Sequence, residues 1–235
     1  MSLLKQSHLR DARAKEQLTE LETVLRHIRE GILDTGFSED EPSPDQIKRA
    51  LDKFLRDVWT ESPRWLLLVS EVVFHLRASL DYIIFVCARV DSGREQDGTQ
   101  FPINTKPQYF ARNRTGCLKH LTEEHIALVE RFQPYRGSNL QLLNRLSNVD
   151  KHRHFIHWSA SSAFSTTRMN LGLHLSQTQA DPILAAIDKG MRKMGMYMYH
   201  GPEVLIDDGT PVCEALQILH SEVCNIVNKF NAVLK

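Results

Sequence analysis

Residues 65–90 read WLLLVSEVVFHLRASLDYIIFVCARV, the most apolar stretch of the chain. Charged and histidine side chains interrupt this stretch at Glu71, His75, Arg77, Asp81 and Arg89. Its uncharged run near the end, 82–88, covers seven residues, whereas a membrane-spanning helix needs about 20. Because the stretch is apolar on nearly every side, it predicts a central helix, about 63–90, that other helices bury. The expected core residues are Val73, Leu76, Leu80, Ile83 and Ile84.

Two further long helices are predicted, one near each end of the chain. In both, apolar residues recur at intervals of three and four, which places them on one helix face. The first helix, about 4–32, carries Leu18, Leu21, Leu25, Ile28 and Ile32 in this pattern. The last helix, opened by Thr210-Pro211, carries Val212, Leu216, Leu219, Val223, Ile226, Phe230 and Val233.

Shorter helices are predicted near 45–59, after Thr122 and over about 139–152. Ser62 is expected to cap the central helix, because serine is a favoured N-cap residue and Pro63 follows it. Residues 104–120 are expected to be irregular or weakly helical, and Phe101-Pro102-Ile103 to form a short apolar anchor.

Alternating polar and apolar residues predict strands over 155–164, 168–176, 194–200 and 203–206. The predicted fold class is α+β, mostly α: a helical bundle around a buried central helix, with a small antiparallel sheet inserted before the C-terminal helix. We expect a single domain over 1–235, with the bundle at 1–152, the β insertion at 153–208 and the closing helix at 209–235.

The composition is that of an ordinary globular protein. The 235 residues include 29 Lys+Arg and 29 Asp+Glu, so the formal net charge is zero. A uniform electrostatic attraction to nucleic acid is therefore disfavoured, although a local basic patch is compatible with this balance. The four cysteines have no C-x-x-C spacing, which argues against a zinc ribbon or a redox dithiol. Because no apolar leader follows Met1, we expect reduced thiols and a cytoplasmic location, with no membrane partner.

Several catalytic motifs are absent from the sequence. It contains no phosphate-binding P-loop, no glycine fingerprint of dinucleotide-binding folds, no nucleophile elbow of the α/β-hydrolases and no H-E-x-x-H zinc motif. These absences disfavour four large enzyme classes. The sequence leaves open whether the protein is an enzyme, and it points to no cofactor.

Polar residues in the central helix form the first candidate site. Arg77 and Asp81 are four residues apart, so they can pair on one side of the helix. His75 lies on a different stripe, together with Glu71 and Ser79. Either the ionic residues form an internal pair that fixes the helix in register, or one of these stripes lines a cleft.

The predicted helix at 139–152 carries the second candidate site. Arg145, Asn148 and His152 share its polar half, and Arg145 and His152 are two turns apart, roughly 10 Å along the axis. This half is either a solvated surface or a catalytic or phosphate-binding face. Asp150 falls on the apolar half, so we expect it to point inward. It would there complete a buried ionic network with Arg77 and Asp81.

An ordered set of short motifs resembles a widespread bacterial family of uncharacterised proteins. The set runs from Arg77-x-x-Leu-Asp81 through Phe101-Pro102-Ile103 and Gln133-Pro134-Tyr135 to Asn148-x-Asp150-Lys151-His152-Arg153. It covers about 63–156. This resemblance implies no particular activity.

The pair Arg145-x6-His152 is similar to the Arg-x(4–6)-His motif of HEPN domains, helical-bundle proteins that include metal-independent RNases. The resemblance implies a homodimer in which the His and Arg of two subunits meet and cleave RNA. Arg145 would then stabilise the phosphate and His152 would transfer protons, with Asn148 beside them. Lys151, Arg153 and His75 would bind the substrate. One departure is Leu146, where the HEPN motif usually has a polar residue.

Two other functions compete with this one. The first is a non-enzymatic interaction or scaffold protein that dimerises through its apolar helix stripes. The second is a metal-dependent hydrolase, because Asp150, His152, His154 and His157 crowd eight residues, and His75 and Asp81 could join them.

Overall fold

The computed structural model describes residues 3–33, 44–152, 158–160, 204–206 and 209–234. Most of these residues are helical. The helices are α1 (Lys5–Leu33), α2 (Pro44–Thr60), α3 (Ser62–Ser92), α4 (Pro107–Asn113), α5 (Glu123–Arg131), α6 (Leu140–His152) and α7 (Val212–Val233). A 3₁₀ turn, Pro134–Arg136, lies between α5 and α6.

The described residues form two compact units. The first contains α1 as far as Leu25, together with α3, α4, α5, α6 and α7. The second contains α1 from Arg26 onward, α2 and two short strands, β1 (Trp158–Ala160) and β2 (Val204–Ile206). The expectation of one domain over the whole chain stays a prediction.

Helix α3 is the centre of the first unit, and α6 and α7 pack against it. All five of its predicted core residues have no accessible surface: Val73, Leu76, Leu80, Ile83 and Ile84. Full burial of such a side chain stabilises the fold by about 1.5–3 kcal/mol. The prediction of a bundle around a buried central helix is therefore confirmed.

The apolar stripe of α7 is also buried, from Val212 to Phe230, whereas Val233 at its end is 40% exposed. In α1, the stripe residues Leu18, Leu21, Leu25 and Ile28 are buried in the same way. These stripes are therefore occupied by packing within the chain itself. A second copy of the protein would have to bind to another surface.

The helix boundaries differ from the predicted ones in two places. Ser62 is the first residue of α3, and Glu61 occupies the N-cap position without a side-chain hydrogen bond to the helix, so the prediction of a Ser62 cap is wrong. Pro63 still lies in the first turn, where its missing N–H costs nothing. In the region expected to be irregular or weakly helical, α4 is a regular helix that begins at Pro107.

The sheet is small in the part of the chain that the structure describes. β1 and β2 pair antiparallel, with Trp158 opposite Ile206 and Ala160 opposite Val204. Both strands fall inside predicted ones, at 155–164 and 203–206. The predicted strands at 168–176 and 194–200 lie outside the described residues.

None of the described helices is both long enough and apolar enough to cross a bilayer. Even α3 carries its polar residues at intervals too short for a spanning segment.

Candidate functional site

The described residues on the polar half of α6 are exposed, as predicted from the sequence. Arg145 and Asn148 are exposed, and Gln141, one turn before Arg145, is exposed as well. The opposite side of the helix is buried through Leu140, Leu143, Leu146 and Ser147. Packing of this apolar side against α3 and α7 fixes the direction of the polar half.

Several predicted site residues near the end of α6 lie outside the described residues. The backbone of α6 continues through Lys151 and His152, but the side chains of Asp150, Lys151 and His152 are not described. The same holds for all of Arg153, His154 and His157. The approach of Asp150 to Arg77 and the metal cluster at 150–157 therefore stay predictions. Elsewhere, the residues that the structure covers contain no group of three potential metal ligands.

The predicted pair of Arg77 and Asp81 is present, and a third segment completes it. Arg77 Nη2 donates to Asp81 Oδ1 at 3.0 Å and to the carbonyl oxygen of Phe101 at 2.7 Å. Asp81 Oδ1 in turn accepts a hydrogen bond from the Phe101 N–H at 2.9 Å. The side chain of Arg77 is only 5% exposed, and that of Asp81 is 31% exposed. Both ionic side chains thus bind one backbone residue and hold the segment after α3 against this helix.

His75 lies on the side of α3 that faces α1. Its Nδ1 is 3.2 Å from Nη1 of Arg10. Because a guanidinium only donates hydrogen bonds, Nδ1 must be the unprotonated acceptor. Burial, followed by the positive charges of Arg10 and Arg13, lowers the pKa of His75, and Glu71 opposes this shift. His75, which was expected to bind substrate, is therefore uncharged at neutral pH. It contacts Arg10 of its own chain.

His75 is expected to make the protein less stable as the pH falls below 6.5, the ordinary pKa of histidine. The unfolded chain takes up the proton that the folded chain resists, so the free energy of unfolding decreases with the pH. In His75→Gln, urea denaturation midpoints measured at about pH 7 and about pH 5 should therefore differ less than in the wild type. His27→Gln, a change at an exposed histidine, is the control. Equal pH dependence in His75→Gln and the wild type would contradict the expectation.

Sequence reasoning missed a buried pair of His125 and Asp91. Nδ1 of His125 is 2.8 Å from Asp91 Oδ2, and the Thr122 N–H donates to the same oxygen at 2.6 Å. Both side chains are almost fully buried. The pair joins the end of α3 to the start of α5. The two residues are 34 positions apart in different helices, so no local pattern could indicate the contact.

A second missed contact joins α1 and α7. His220 Nε2 lies 3.3 Å from Asp11 Oδ1, and both atoms are buried without a well-aligned hydrogen bond among the described residues. Cys224, one turn after His220, has a raised pKa because of burial and the nearby Asp11 carboxylate. The thiol is therefore protonated, which disfavours a nucleophilic role.

No protein-family model matches the chain, and no curated protein or solved structure is significantly similar to it. Among the predicted site residues, the structure pairs Arg77 with Asp81 and places Arg145 and Asn148 on the exposed side of α6. It places His75 against α1.

Proposed function

We propose that the protein binds RNA and cleaves it without a metal ion, through the polar face of α6. The observation that supports this is the exposure of Arg145 and Asn148 on a helix whose other side is buried and whose backbone extends to His152. Helical geometry puts positions 145 and 152 on one face, roughly 10 Å apart. A phosphodiester with its neighbouring 2′-hydroxyl fits between groups at that spacing.

The two side chains have complementary chemistry. The Arg145 guanidinium stabilises negative charge that develops on a phosphate oxygen. The His152 imidazole accepts the proton of the attacking 2′-hydroxyl and returns a proton to the leaving oxygen. Asn148, one turn before His152, is placed to donate a hydrogen bond to the same phosphate. Neither step requires a metal ion. We propose that the protein carries out this reaction in the cytoplasm.

Incubation of the purified protein with bulk RNA, with and without a chelator, tests the proposal. Cleavage that the chelator leaves unchanged is the expected result. Cleavage that the chelator abolishes would overturn it in favour of the metal-dependent hydrolase formed by Asp150, His152, His154 and His157. Intact RNA in both samples would overturn the nuclease proposal as a whole.

A homodimeric interaction protein is the second candidate, and one observation favours it. On α3, Leu67 is 52% exposed and Phe74 is 48% exposed, and they lie two turns apart on one face. Because the stripes of α1 and α7 are buried, we assign the interface between copies to this face of α3. The same dimer is compatible with RNA cleavage, since residues of two copies can then form one site.

Light scattering is expected to give twice the chain mass of 27.0 kDa for the wild type, and the chain mass for Phe74→Glu. Arg10 Cζ lies 5.4 Å from the centre of the Phe74 ring, so a glutamate at this position has a cation nearby. The carboxylate must still lose its hydration when it enters an apolar interface, and this cost opposes association. Ala127→Glu, at an exposed position of α5, adds the same charge elsewhere and should leave the dimer intact. A wild type that is monomeric at every concentration would exclude the dimer.

A further inference from the structure

The segment from 104 to 136 of the first unit carries an excess of positive charge. It contains six Lys and Arg against three Glu, although the whole chain has equal numbers of both signs. Arg114 pairs with Glu123, and Arg136 pairs with Glu130 at 3.1 Å. Lys106, Arg112, Lys119 and Arg131 are exposed, and no carboxylate in the described part of the chain lies within 4.0 Å of their charged groups. Two of the six cations of this segment therefore have a carboxylate partner among the described residues, and four have none.

Two arginines of this segment stack on tyrosines. Cζ of Arg112 is 5.7 Å from the ring centre of Tyr109, and Cζ of Arg136 is 5.6 Å from that of Tyr135. The ring of Phe110, next to Tyr109 in the chain, meets the Tyr135 ring edge-on with centroids 6.5 Å apart. Phe110 therefore connects α4, which carries Tyr109, to the turn that carries Tyr135. We call Lys106, Tyr109, Arg112, Tyr135 and Arg136 the basic patch.

Hydrogen bonds hold the backbone beneath the basic patch. The amide of Gln133, fully buried, donates to the carbonyl oxygens of Pro102 at 2.8 Å and of Val129 at 3.1 Å. It accepts from the Asn104 N–H at 2.9 Å. Asn113 of α4 donates to the Asn104 side chain at 2.7 Å. These bonds tie α4 to the turn that carries Tyr135.

We propose that the basic patch binds single-stranded RNA. Lys106, Arg112 and Arg136 contact phosphates, and the ring of Tyr109, 42% exposed, stacks on an unpaired base. The N–H edge of an arginine stacked on an aromatic ring can still donate to phosphate oxygens. Arg112 has no carboxylate partner among the described residues, whereas Arg136 exchanges its bond to Glu130 for one to a phosphate. The hydroxyl of Tyr135, whose ring lies beneath Arg136, adds no negative charge to the basic patch, because burial and the nearby Glu130 raise its pKa to about 12.

The partner is single-stranded because a paired base does not present its face to a side chain. This assignment rests on the proposed function, which makes RNA the substrate.

The test measures the fluorescence anisotropy of a short, labelled, 2′-O-methylated oligouridylate, which cannot be cleaved through its 2′-oxygen. Lys106→Ala/Arg112→Ala/Arg136→Ala should weaken binding at least about tenfold and reduce its salt dependence. Tyr109→Ser should weaken binding by about 5- to 100-fold, whereas Tyr109→Phe should bind as the wild type does. The control is Lys5→Ala/Arg13→Ala/Lys15→Ala, three exposed cations of α1 of which one, Arg13, is paired with a glutamate as Arg136 is. It should retain full affinity.

Four results of the binding measurements would overturn the inference. They are equal affinity of the patch and control variants, no binding by the wild type, tighter binding of a duplex than of the single strand, and binding of phosphatidylserine vesicles in place of RNA. Cleavage of bulk RNA is measured in parallel. If the wild type cleaves RNA and the patch variant cleaves it equally well, only this inference fails. If the wild type binds the oligonucleotide through the patch but cleaves nothing, only the proposed nuclease activity fails.

Discussion

Arg77→Ala is expected to lower the free energy of unfolding by about 3 kcal/mol, the low end of the range for breaking a buried ion pair. The change leaves Asp81 without its cation and the Phe101 carbonyl without its donor. The low end applies because Asp81 keeps partial contact with solvent and its bond from the Phe101 N–H. Urea denaturation followed by circular dichroism measures the effect.

Arg13→Ala is the matched control for Arg77→Ala, because Arg13 pairs with Glu16 at 2.9 Å on the surface of α1. An exposed pair of this kind contributes little to stability, because solvent screens the two charges. Arg77→Lys keeps the charge but cannot reach both the carboxylate and the carbonyl oxygen with the same geometry, so we expect an intermediate loss. Equal, small losses in Arg77→Ala and Arg13→Ala would mean that the network does not hold the fold.

His152→Ala is expected to reduce RNA cleavage by about 10²- to 10⁴-fold, the usual contribution of a general acid–base group. The rate is measured with a labelled RNA under single-turnover conditions. Because the residue shares the polar side of α6 with the exposed Arg145 and Asn148, the urea denaturation midpoint should not change. Arg145→Ala should lower the rate through loss of charge stabilisation.

His27→Ala, a change at an exposed histidine, is the control for His152→Ala and should cleave RNA as the wild type does. If His152→Ala has the wild-type rate, another residue is the proton-transfer group. If its stability falls along with its rate, the loss of cleavage reflects unfolding.

The sequence predicted those features that depend on regular spacing. The buried residues of α3 and the stripe of α7 follow the helical repeat, so their positions could be read from apolar residues alone. The ion pair of Arg77 and Asp81 also follows from a spacing of four within one helix. The exposed half of α6 was predictable for the same reason, because its apolar residues determine which side faces inward.

The rest depends on contacts between distant segments. Arg77 and Asp81 both bind the backbone of Phe101, and a backbone group has no sequence signature of its own. The pair of Asp91 and His125 joins residues 34 positions apart. The basic patch could not be predicted from the sequence, because the charges of the whole chain are balanced. Only the structure shows which cations have carboxylate partners and which tyrosines lie beneath arginines.

The hydrogen bonds of the Gln133 amide affect the conformational entropy that is lost when an RNA strand binds to the basic patch. Because they hold α4 and the turn at Tyr135 in place before any ligand arrives, the basic patch is preorganised. The loss of conformational freedom on association then falls almost entirely on the strand that binds. A flexible strand loses more freedom than a stiff one, so affinity should depend on the strand's own order as well as on its charge. Loosening the amide network would weaken association even though every contacting side chain stayed in place.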